Sequence, residues 1–428
     1  MTERDATTAL LARRARLLGP AYRVLYDVPL RPVRGEGVWL EEADGRRVLD
    51  CYNNVPSVGH CHPRVVEALV RQAARLNTHT RYLHDTVLDY AERLLATMPA
   101  EIGNVMFTCT GSEANDLAVR VARSATGATG FIVTANAYHG VTAALADMSP
   151  SRGPGVKRGD HVRTVAVPDT YRQGAAGAAA GFTRAVEAAI DSLAAAGLRP
   201  AALLFDTVLA SDGIHLDPPG FVAGAVAAVR RAGGLYIADE VQAGLGRTGE
   251  HMWGFARHGV VPDLVTVGKP MGDGHPVAAL MARPAHLAAF GAEARYFNTF
   301  GGNPVSAAVG LAVLDVIRDE GLLENAARTG RLLHRGIAGL AGRHPAIGDV
   351  RSAGLYMGIE IVSDPLAKAP WAAGAARLVD ALREAGVLVG LCGAAGNVVK
   401  VRPPLPFGPV EAEIVVERMD AALAGLAT

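Results

Sequence analysis

The sequence is poor in lysine and cysteine and carries no net charge. Its 428 residues include 42 Lys plus Arg and 42 Asp plus Glu. Because no overall field draws such a chain to nucleic acid or anionic lipid, the charge balance argues against a general nucleic-acid binder. The four cysteines form no C-x-x-C pair and are too few for a disulfide framework. We therefore expect a protein of the reducing cytoplasm.

Long apolar runs are also lacking. No stretch approaches the roughly 20 uncharged apolar residues that span a bilayer, and charge interrupts the N-terminal MTERDATTALLARRARLLGP throughout. We expect a soluble protein that is neither exported nor bound to a membrane. With 50% hydrophobic and 20% charged residues the composition is that of a globular chain, and the length predicts more than one packed lobe.

The scarcity of lysine makes each one worth inspecting. The chain has Lys157, Lys269, Lys368 and Lys400, and every other basic residue is arginine. Only Lys269 follows directly on the end of an apolar strand pattern. A partly desolvated lysine loses its proton readily and can attack a carbonyl carbon. The alternative is a surface lysine whose stem lies along apolar neighbours.

Hydrophobic patterning predicts the fold class. Residues 6–18 read as a helix, Asp44-Gly45 marks a hairpin in a short β meander, and Pro63 opens an amphipathic helix. Short, continuously apolar runs follow at 104–109, 130–134, 162–167, 202–207, 235–238, 264–267 and 277–281. Continuous runs separated by helical stretches are typical of an α/β fold, so we predict a seven-stranded, mainly parallel sheet between helices.

The remaining segments suggest a second, smaller α+β domain built from both chain ends. A helical pair covers 303–343, and strands are expected at 356–362, 387–391 and 398–401. We assign 1–75 to the N-terminal segment of the small domain, 76–320 to the large domain and 321–428 to the C-terminal small domain. The Gly- and Ala-rich segment 174–181 is expected to be a flexible surface loop.

The candidate chemistry lies just past the strands, where open α/β sheets bind ligands. Thr110-Gly111-Ser112 leads into a helix, whose first N–H groups and dipole suit a phosphate, although an ordinary N-cap is the alternative. Tyr138 could stack on a planar ring or belong to the core. Asp239 ends a buried strand, where a carboxylate needs a cation such as a protonated ring nitrogen. Together with Lys269, these residues match what pyridoxal 5′-phosphate requires.

Two other motifs point elsewhere and are set aside. Residues 244–249 match G-x-G-x-x-G after a strand, but no helix pattern follows, so a dinucleotide site is not supported. His60-Cys61-His62 resembles a metal motif, yet no second cluster at ligand spacing accompanies it. We expect no metal.

On these residues the sequence resembles the class III aminotransferase family of fold-type I pyridoxal-phosphate enzymes. The matching stretches are 110–115, 137–140, 239–244, 268–270 and 299–304. The resemblance implies that Lys269 carries the Schiff base and that Asp239 pairs with the pyridinium nitrogen. It also implies further cofactor contacts: Gly111 and Ser112 at the phosphate, Tyr138 and Val241 on the ring faces, Gln242 near the phenolic oxygen, and Thr299 at the phosphate of the neighbouring subunit's cofactor. A homodimer with active sites shared across the interface follows from that last contact.

Within the family, the stretches at 51–55, 58–63, 76–78, 81–85, 268–277 and 296–299 are similar to the ethanolamine-phosphate and phosphohydroxylysine phospho-lyases. The chain departs from them at Asp206-Thr207, where Glu-Ser is usual, and at Arg402, where a lysine is common. Both positions line the substrate side. Arg402, Lys400 and Arg81 are candidate donors to a substrate phosphate.

We therefore expect a lyase that eliminates phosphate from a small phosphorylated primary amine such as O-phosphoethanolamine. The alternative is an ω-aminotransferase that moves an amino group from a small amine to a keto acid, with Arg402 binding a carboxylate. In both reactions Lys269 would act as the base at the α-carbon. A catalytically silent regulatory protein is a third class, but the intact Lys269 and the lack of a DNA-binding segment oppose it.

Overall fold

The computed structural model describes residues 3–153 and 155–426. Its helices are α1 (Glu3–Leu18), α2 (Pro63–Ala73), α3 (Asp85–Leu95), α4 (Gly111–Thr126), α5 (Ala143–Ala146), α6 (Thr170–Gln173), α7 (Ala175–Ala195), α8 (Ala223–Arg231), α9 (Pro284–Glu293), α10 (Pro304–Asp319), α11 (Leu322–Leu340), α12 (Ala372–Glu384) and α13 (Pro409–Ala424). Its strands are β1 (Pro32–Glu36), β2 (Trp39–Glu42), β3 (Arg47–Asp50), β4 (Asn104–Thr108), β5 (Gly130–Thr134), β6 (Val162–Val165), β7 (Pro200–Asp206), β8 (Leu235–Asp239), β9 (Leu264–Val267), β10 (Ala278–Ala282), β11 (Ile347–Ala353), β12 (Tyr356–Asp364), β13 (Ala369–Pro370), β14 (Val387–Leu388), β15 (Gly390–Cys392) and β16 (Val398–Val401).

The seven predicted apolar runs form one sheet, which confirms the predicted fold class. Its strand order is β4-β10-β9-β8-β7-β5-β6. Strands β5 to β9 pair in parallel, and β10 runs antiparallel to both of its neighbours. Every residue of β5, β7, β9 and β10 is buried. Burial on both faces is why these strands read as continuous apolar runs rather than as alternating patterns.

Helices cover the two faces of this sheet. Phe131 and Val133 of β5 join the same apolar cluster as Leu117 of α4. Ile132, which lies between them, joins the opposite cluster together with Phe182 of α7. Alternate side chains of the strand therefore face different helices, as the two-residue period of a strand requires.

Two smaller sheets bring the chain ends together. The first has the order β1-β2-β3-β14, and the second contains β11, β12, β16 and β15, with β13 paired to β12. Strand β14 runs parallel to β3, and the Tyr26 hydroxyl donates to the Val389 carbonyl oxygen at 2.9 Å across 363 residues of sequence. The N-terminal meander and the C-terminal segment thus share one sheet. The domain boundaries at 75/76 and 320/321 stay a prediction.

One local prediction is wrong. Residues 174–181 do not form a loop, because α7 begins at Ala175 and continues to Ala195. Alanine has the highest helix propensity, and tertiary packing of Ala178 and Phe182 outweighs Gly177 and Gly181, the two glycines within the helix. No helix in residues 3–153 or 155–426 is long and apolar enough to cross a membrane.

Candidate active site

A pocket opens at the carboxyl ends of the central strands. Asp206 and Asp239 end β7 and β8 and are directly paired in the sheet. Lys269 follows β9 after a single glycine. The pocket is lined by Gly111, Ser112, Asn115, Tyr138, His139, Gly140, Asp206, Asp239, Val241, Gln242 and Lys269. The structure therefore brings together every predicted cofactor-binding residue except Thr299.

The start of α4 forms a cradle for an anion. Thr110 is the N-cap: its hydroxyl accepts from the Glu113 N–H, and the Glu113 carboxylate accepts from the Thr110 N–H. This capping box leaves the N–H groups of Gly111 and Ser112 without a partner among the described residues. A Cβ atom at Gly111 would lie 2.8 Å from a methyl group of Val241. The glycine thus keeps space beside N–H donors that suit a phosphate.

Asp239 is held from three sides. Its Oδ2 atom contacts Nδ1 of His139 at 2.8 Å and accepts from Nδ2 of Asn115 at 2.9 Å, while Oδ1 accepts from the Val241 N–H at 3.0 Å. Asn115 is fixed in turn by the Thr266 hydroxyl, which donates to its Oδ1 at 2.6 Å. Bonds to a carboxylate oxygen favour its ionised form and fix its direction. A protonated ring nitrogen would meet a preorganised anion here.

No role in the site was predicted for Asn115 and His139 from the sequence. A signal was present for Asn115, because it lies four residues after Gly111 and so shares a helix face with it. His139 follows Tyr138 directly, and its ring is buried with no partner for Nε2. Its contact with Asp239 joins residues 100 apart in sequence, a pairing that only tertiary structure reveals.

Lys269 has no hydrogen-bond or ion-pair partner within residues 3–153 and 155–426. Burial, reinforced by the nearby Arg402 charge, lowers the pKa of Lys269, and Asp239 and Asp206 oppose this shift. The loop after it is anchored to the N-terminal meander, because the Ser57 hydroxyl donates to the Pro270 carbonyl oxygen at 2.7 Å. A lysine in this position is readily deprotonated, which is the form that reacts with an aldehyde.

The predicted substrate residues separate into two groups. Lys400 and Arg402 lie two positions apart along the last strand and its exit, so they share one face. Burial and Arg402 lower the pKa of Lys400 to about 8, and Lys269 adds to this shift. Arg81 instead is exposed, with its guanidinium carbon 3.8 Å from the ring centroid of Phe297. Neither Arg81 nor the exposed Thr299 lines the pocket of its own chain. Lys400 and Arg402 do not line it either, but Arg402 contacts Gln242, which does.

Asp206, one of the two departures noted in the sequence, lines the pocket and opposes the lowering of the pKa of Lys269 and Lys400, but its hydrogen bonds go to the backbone. Its carboxylate accepts from the N–H groups of Val208 at 3.1 Å and Ala210 at 3.0 Å. Burial, and then the charge of Asp239, raise the pKa of Asp206 to about 6. Asp206 therefore stabilises the turn after β7 and forms no ion pair with Arg402 or Lys400.

The polar groups of the pocket fit pyridoxal phosphate one by one. The α4 N–H groups suit its phosphate, Asp239 its ring nitrogen, Lys269 its aldehyde, and Tyr138 and Val241 its ring faces. The family described as aminotransferase class III matches residues 22–423. The chain belongs to the class III aminotransferase family. Its cofactor is accordingly pyridoxal 5′-phosphate, as in the related amine transaminase from an uncultivated Pseudomonas species solved in its PLP-bound form, with 29% identity and a TM-score of 0.86 over 93% of this chain and 95% of that one.

The chain is similar to members of this family whose names refer to different reactions. A Drosophila melanogaster protein named alanine–glyoxylate aminotransferase 2-like is 38% identical over 96% of this chain and 86% of that protein. A Caenorhabditis elegans protein named ethanolamine-phosphate phospho-lyase homolog 1 is 35% identical over 97% of this chain and 93% of that protein. Among solved structures, an Arthrobacter phospholyase in complex with phosphoethanolamine is 42% identical, with a TM-score of 0.94 over 97% of this chain and 99% of that one.

The side chains define what this family member can do with its cofactor bound. Pyridoxal phosphate supplies an electron-withdrawing ring that stabilises negative charge at the carbon carrying the substrate amine. Asp239, fixed by Asn115 and His139, would hold the ring nitrogen and keep its proton. Lys269 would take and return a proton at that carbon. The partial burial of the pocket limits the access of water to this exchange.

Proposed function

We propose that this enzyme is a phospho-lyase that eliminates phosphate from a small phosphorylated primary amine such as O-phosphoethanolamine. The observation that carries the proposal is a group of cations close to the pocket, Arg247, Lys400 and Arg402. None of them forms an ion pair in the part of the chain that the structure describes. Buried positive charge is costly unless an anion meets it, and a phosphate ester is such an anion.

Arg247 shows how strongly positive this region is. Its side chain is 1% exposed, Nη1 donates to the carbonyl oxygens of Leu355 and Pro403, and Nη2 has no partner. Burial and the charge of Arg402 lower the pKa of Arg247 to about 9. Positive charge of this kind beside Arg402 favours an anionic substrate over a neutral amine.

Lys400 and Arg402 differ in the donors they have left. Arg402 donates through Nε and Nη2 to the Tyr52 carbonyl oxygen, at 3.2 and 2.7 Å, and through Nη1 to Gln242. Lys400 has three ammonium N–H donors and no partner among the described residues. We therefore expect Lys400 to be the main direct anchor for the substrate phosphate, with Arg402 adding charge.

The reaction balances with water as the only further reactant. Lys269 takes the proton from the carbon bearing the amine, and the C–O bond to phosphate breaks with its electron pair leaving on the phosphate. The unsaturated amine that remains takes up a proton and water and gives an aldehyde and ammonia. Lys400 and Arg402 stabilise the phosphate as it departs.

The test is to incubate the purified holoenzyme with O-phosphoethanolamine and no keto acid. We expect phosphate, ammonia and aldehyde in equal amounts, and no product from ethanolamine, which lacks both the anchor and the leaving group. If turnover instead depends strictly on pyruvate or 2-oxoglutarate, and no phosphorylated amine releases phosphate, the lyase proposal is wrong.

An ω-aminotransferase is the second candidate. Its supporting observation is Arg402, whose planar guanidinium also suits a carboxylate, and the Drosophila relative carries an aminotransferase name. The arginine is already engaged by Tyr52 and Gln242, however, so it would have to release these acceptors before it could bind a keto acid in a bidentate manner.

We also propose that the enzyme works as a homodimer in the cytoplasm. Tyr82, Leu83, Phe297 and Phe300 are exposed around Thr299, and Leu83 is 99% exposed. A contiguous apolar surface of this kind is typical of an interface, and it would place Thr299 at the partner's cofactor. The cytoplasmic location is supported by the four cysteines, all of which are free. Light scattering of the holoenzyme and cell fractionation test the two statements.

A further inference from the structure

The amide group of Gln242 is held from one side by residues of the C-terminal sheet. Its Oε1 atom accepts from the Tyr356 hydroxyl at 3.0 Å and from Nη1 of Arg402. Tyr356 is the first residue of β12, and its side chain is fully buried. The Gln242 carbonyl oxygen accepts from Nδ2 of Asn54 at 2.9 Å, so the backbone is fixed as well.

These contacts decide which end of the amide remains for the pocket. A guanidinium has only donors, so the Gln242 atom that Arg402 contacts must be the oxygen. The amide nitrogen has no partner among the described residues. Because Gln242 lines the same pocket as Lys269 and Asp239, its unpaired N–H groups are donors for whatever the pocket binds.

The chemistry of the cofactor assigns the acceptor. Besides its ring nitrogen, aldehyde and phosphate, pyridoxal phosphate has one more polar group, a phenolic hydroxyl beside the aldehyde carbon. Asn115 and His139 contact Asp239, and the Ser112 hydroxyl, at the start of α4, accepts from the Val141 N–H at 3.2 Å. The family resemblance implies that Gln242 lies near the phenolic oxygen, and the structure adds which groups hold Gln242 with its N–H donors free for that oxygen.

We propose that Tyr356 is a positioning residue that, together with Arg402, holds Oε1 of Gln242 and directs the amide N–H to the phenolic oxygen of bound pyridoxal phosphate. Two donors on Oε1 also polarise the amide and strengthen the bond that its N–H makes. Tyr356 thus acts on the cofactor without contacting it.

This arrangement affects the proton that the phenolic oxygen shares with the nitrogen contributed by Lys269. A donor on the oxygen withdraws negative charge, so that the nitrogen holds its proton less tightly and releases it at lower pH. Asp239 and Asp206 are the carboxylates of this pocket, and Arg402 and Lys400 are the neighbouring cations. Tyr356→Phe keeps all of these groups but also removes an acceptor of Nη1 of Arg402 at 3.5 Å, so Gln242→Leu, which keeps that contact, is measured beside it.

The test is a pH titration of the visible absorbance of the holoenzyme, without substrate. In Tyr356→Phe the midpoint should rise by about half a unit to one unit, the equivalent of one ordinary hydrogen bond. Gln242→Leu removes the donor itself and should raise the midpoint at least as much. Tyr236→Phe is the matched control, because the buried Tyr236 hydroxyl has no hydrogen-bond partner among the residues that the structure describes. We expect the midpoint of this control to equal that of the unaltered protein.

Three results would overturn the proposal. The first is an unchanged midpoint in Tyr356→Phe, with thermal unfolding showing that the variant is folded. The second is an unchanged midpoint in Gln242→Leu, since the amide would then make no bond to the phenolic oxygen. The third is an equal shift in Tyr236→Phe, which would mean that the loss of any buried hydroxyl has this effect. The titration contains no substrate, so its outcome does not depend on whether the enzyme is a lyase or a transaminase.

Discussion

At the scale of single residues, Lys400 is the cation beside the pocket with the most unused hydrogen-bonding capacity. Losing a charge-assisted bond costs roughly 1.5 to 3 kcal/mol, so Lys400→Gln should raise KM for O-phosphoethanolamine by about 10- to 100-fold. Steady-state kinetics measure this effect. Lys157→Gln, the same change at an exposed loop lysine, is the control and should leave KM unchanged. A normal KM in Lys400→Gln would assign the anchor to another residue.

Lys400 also predicts the pH dependence of the lyase reaction. Its pKa of about 8 means that the anchoring charge is present below this pH and lost above it. The value of kcat/KM, which reports the free enzyme, should therefore fall as pH rises through about 8. In Lys400→Arg the side chain keeps its charge, so the fall should move to higher pH. The same fall in both proteins would show that another group titrates.

The buried Asp273, in the loop after Lys269, leads us to expect that folding stability depends on pH. Its Oδ1 atom accepts from the Val58 N–H at 3.0 Å, and burial raises the pKa of Asp273 to about 7. The unfolded chain ionises near 4, so folding stability falls as pH rises from about 4 to about 7. Asp273→Asn keeps an acceptor oxygen and removes this dependence. Urea unfolding of the holoenzyme should show a gain for the variant that grows between about pH 5 and about pH 8.

The residues of the site differ in how far the sequence could predict them. Lys269 and Asp239 follow apolar runs, and local pattern alone places such residues at the edge of a parallel sheet. The balance between Lys400 and Arg402 could not be predicted, because it depends on the partners that Arg402 finds at Tyr52, about 350 positions away in sequence. The role of Tyr356 could not be predicted either, because it rests on one contact with Gln242, which is distant in the sequence.

At the scale of elements, a substitution at the start of α4 tests whether this helix end binds the cofactor. A Cβ at position 111 would lie 2.8 Å from a Val241 methyl group, so Gly111→Ala should displace Val241 from the ring face and weaken pyridoxal-phosphate binding. Equilibrium dialysis of the cofactor measures the loss. Gly177→Ala on α7 is the control, since its nearest neighbour would be Gln173 of α6, 3.9 Å away. That change should leave cofactor binding intact and stabilise the helix by about 0.5–1 kcal/mol.

The elements themselves were predicted where the pattern is strong. Strands β5 and β9 have the predicted ends, and the Asp44-Gly45 hairpin joins β2 and β3. Strand β11 was missed, because its residues are only partly buried and include Gly348, Asp349 and Arg351. The first residues of helix α7, up to Gly181, were mistaken for a loop because glycine and alanine alone give no amphipathic pattern. The structure of short or compositionally simple segments depends on tertiary packing, which local sequence patterns do not predict.

At the scale of the whole molecule, Arg351 joins the C-terminal sheet to the large one. It contacts Glu360 of β12 at 2.7 Å and donates to the carbonyl oxygens of Gly213 and Ile214 at 2.9 Å. Removing one partner of a buried ion pair costs about 3–5 kcal/mol, so Arg351→Met should lower the urea midpoint markedly. Arg64→Met, which breaks an exposed pair with Asp319, should cost less than about 1 kcal/mol. Equal losses in the two variants would refute this role of Arg351.

The pairing of β3 with β14 has a consequence for how the protein is made. Tyr26 meets Val389 only after 363 further residues have been synthesised. At about 5–20 residues per second the wait is on the order of twenty seconds to a minute. During that time β3 presents an unpaired edge on the ribosome, a template for pairing with other chains. Pulse-labelled nascent chains should therefore leave the N-terminal segment open to protease, or bound to chaperone, until the last forty or so residues emerge.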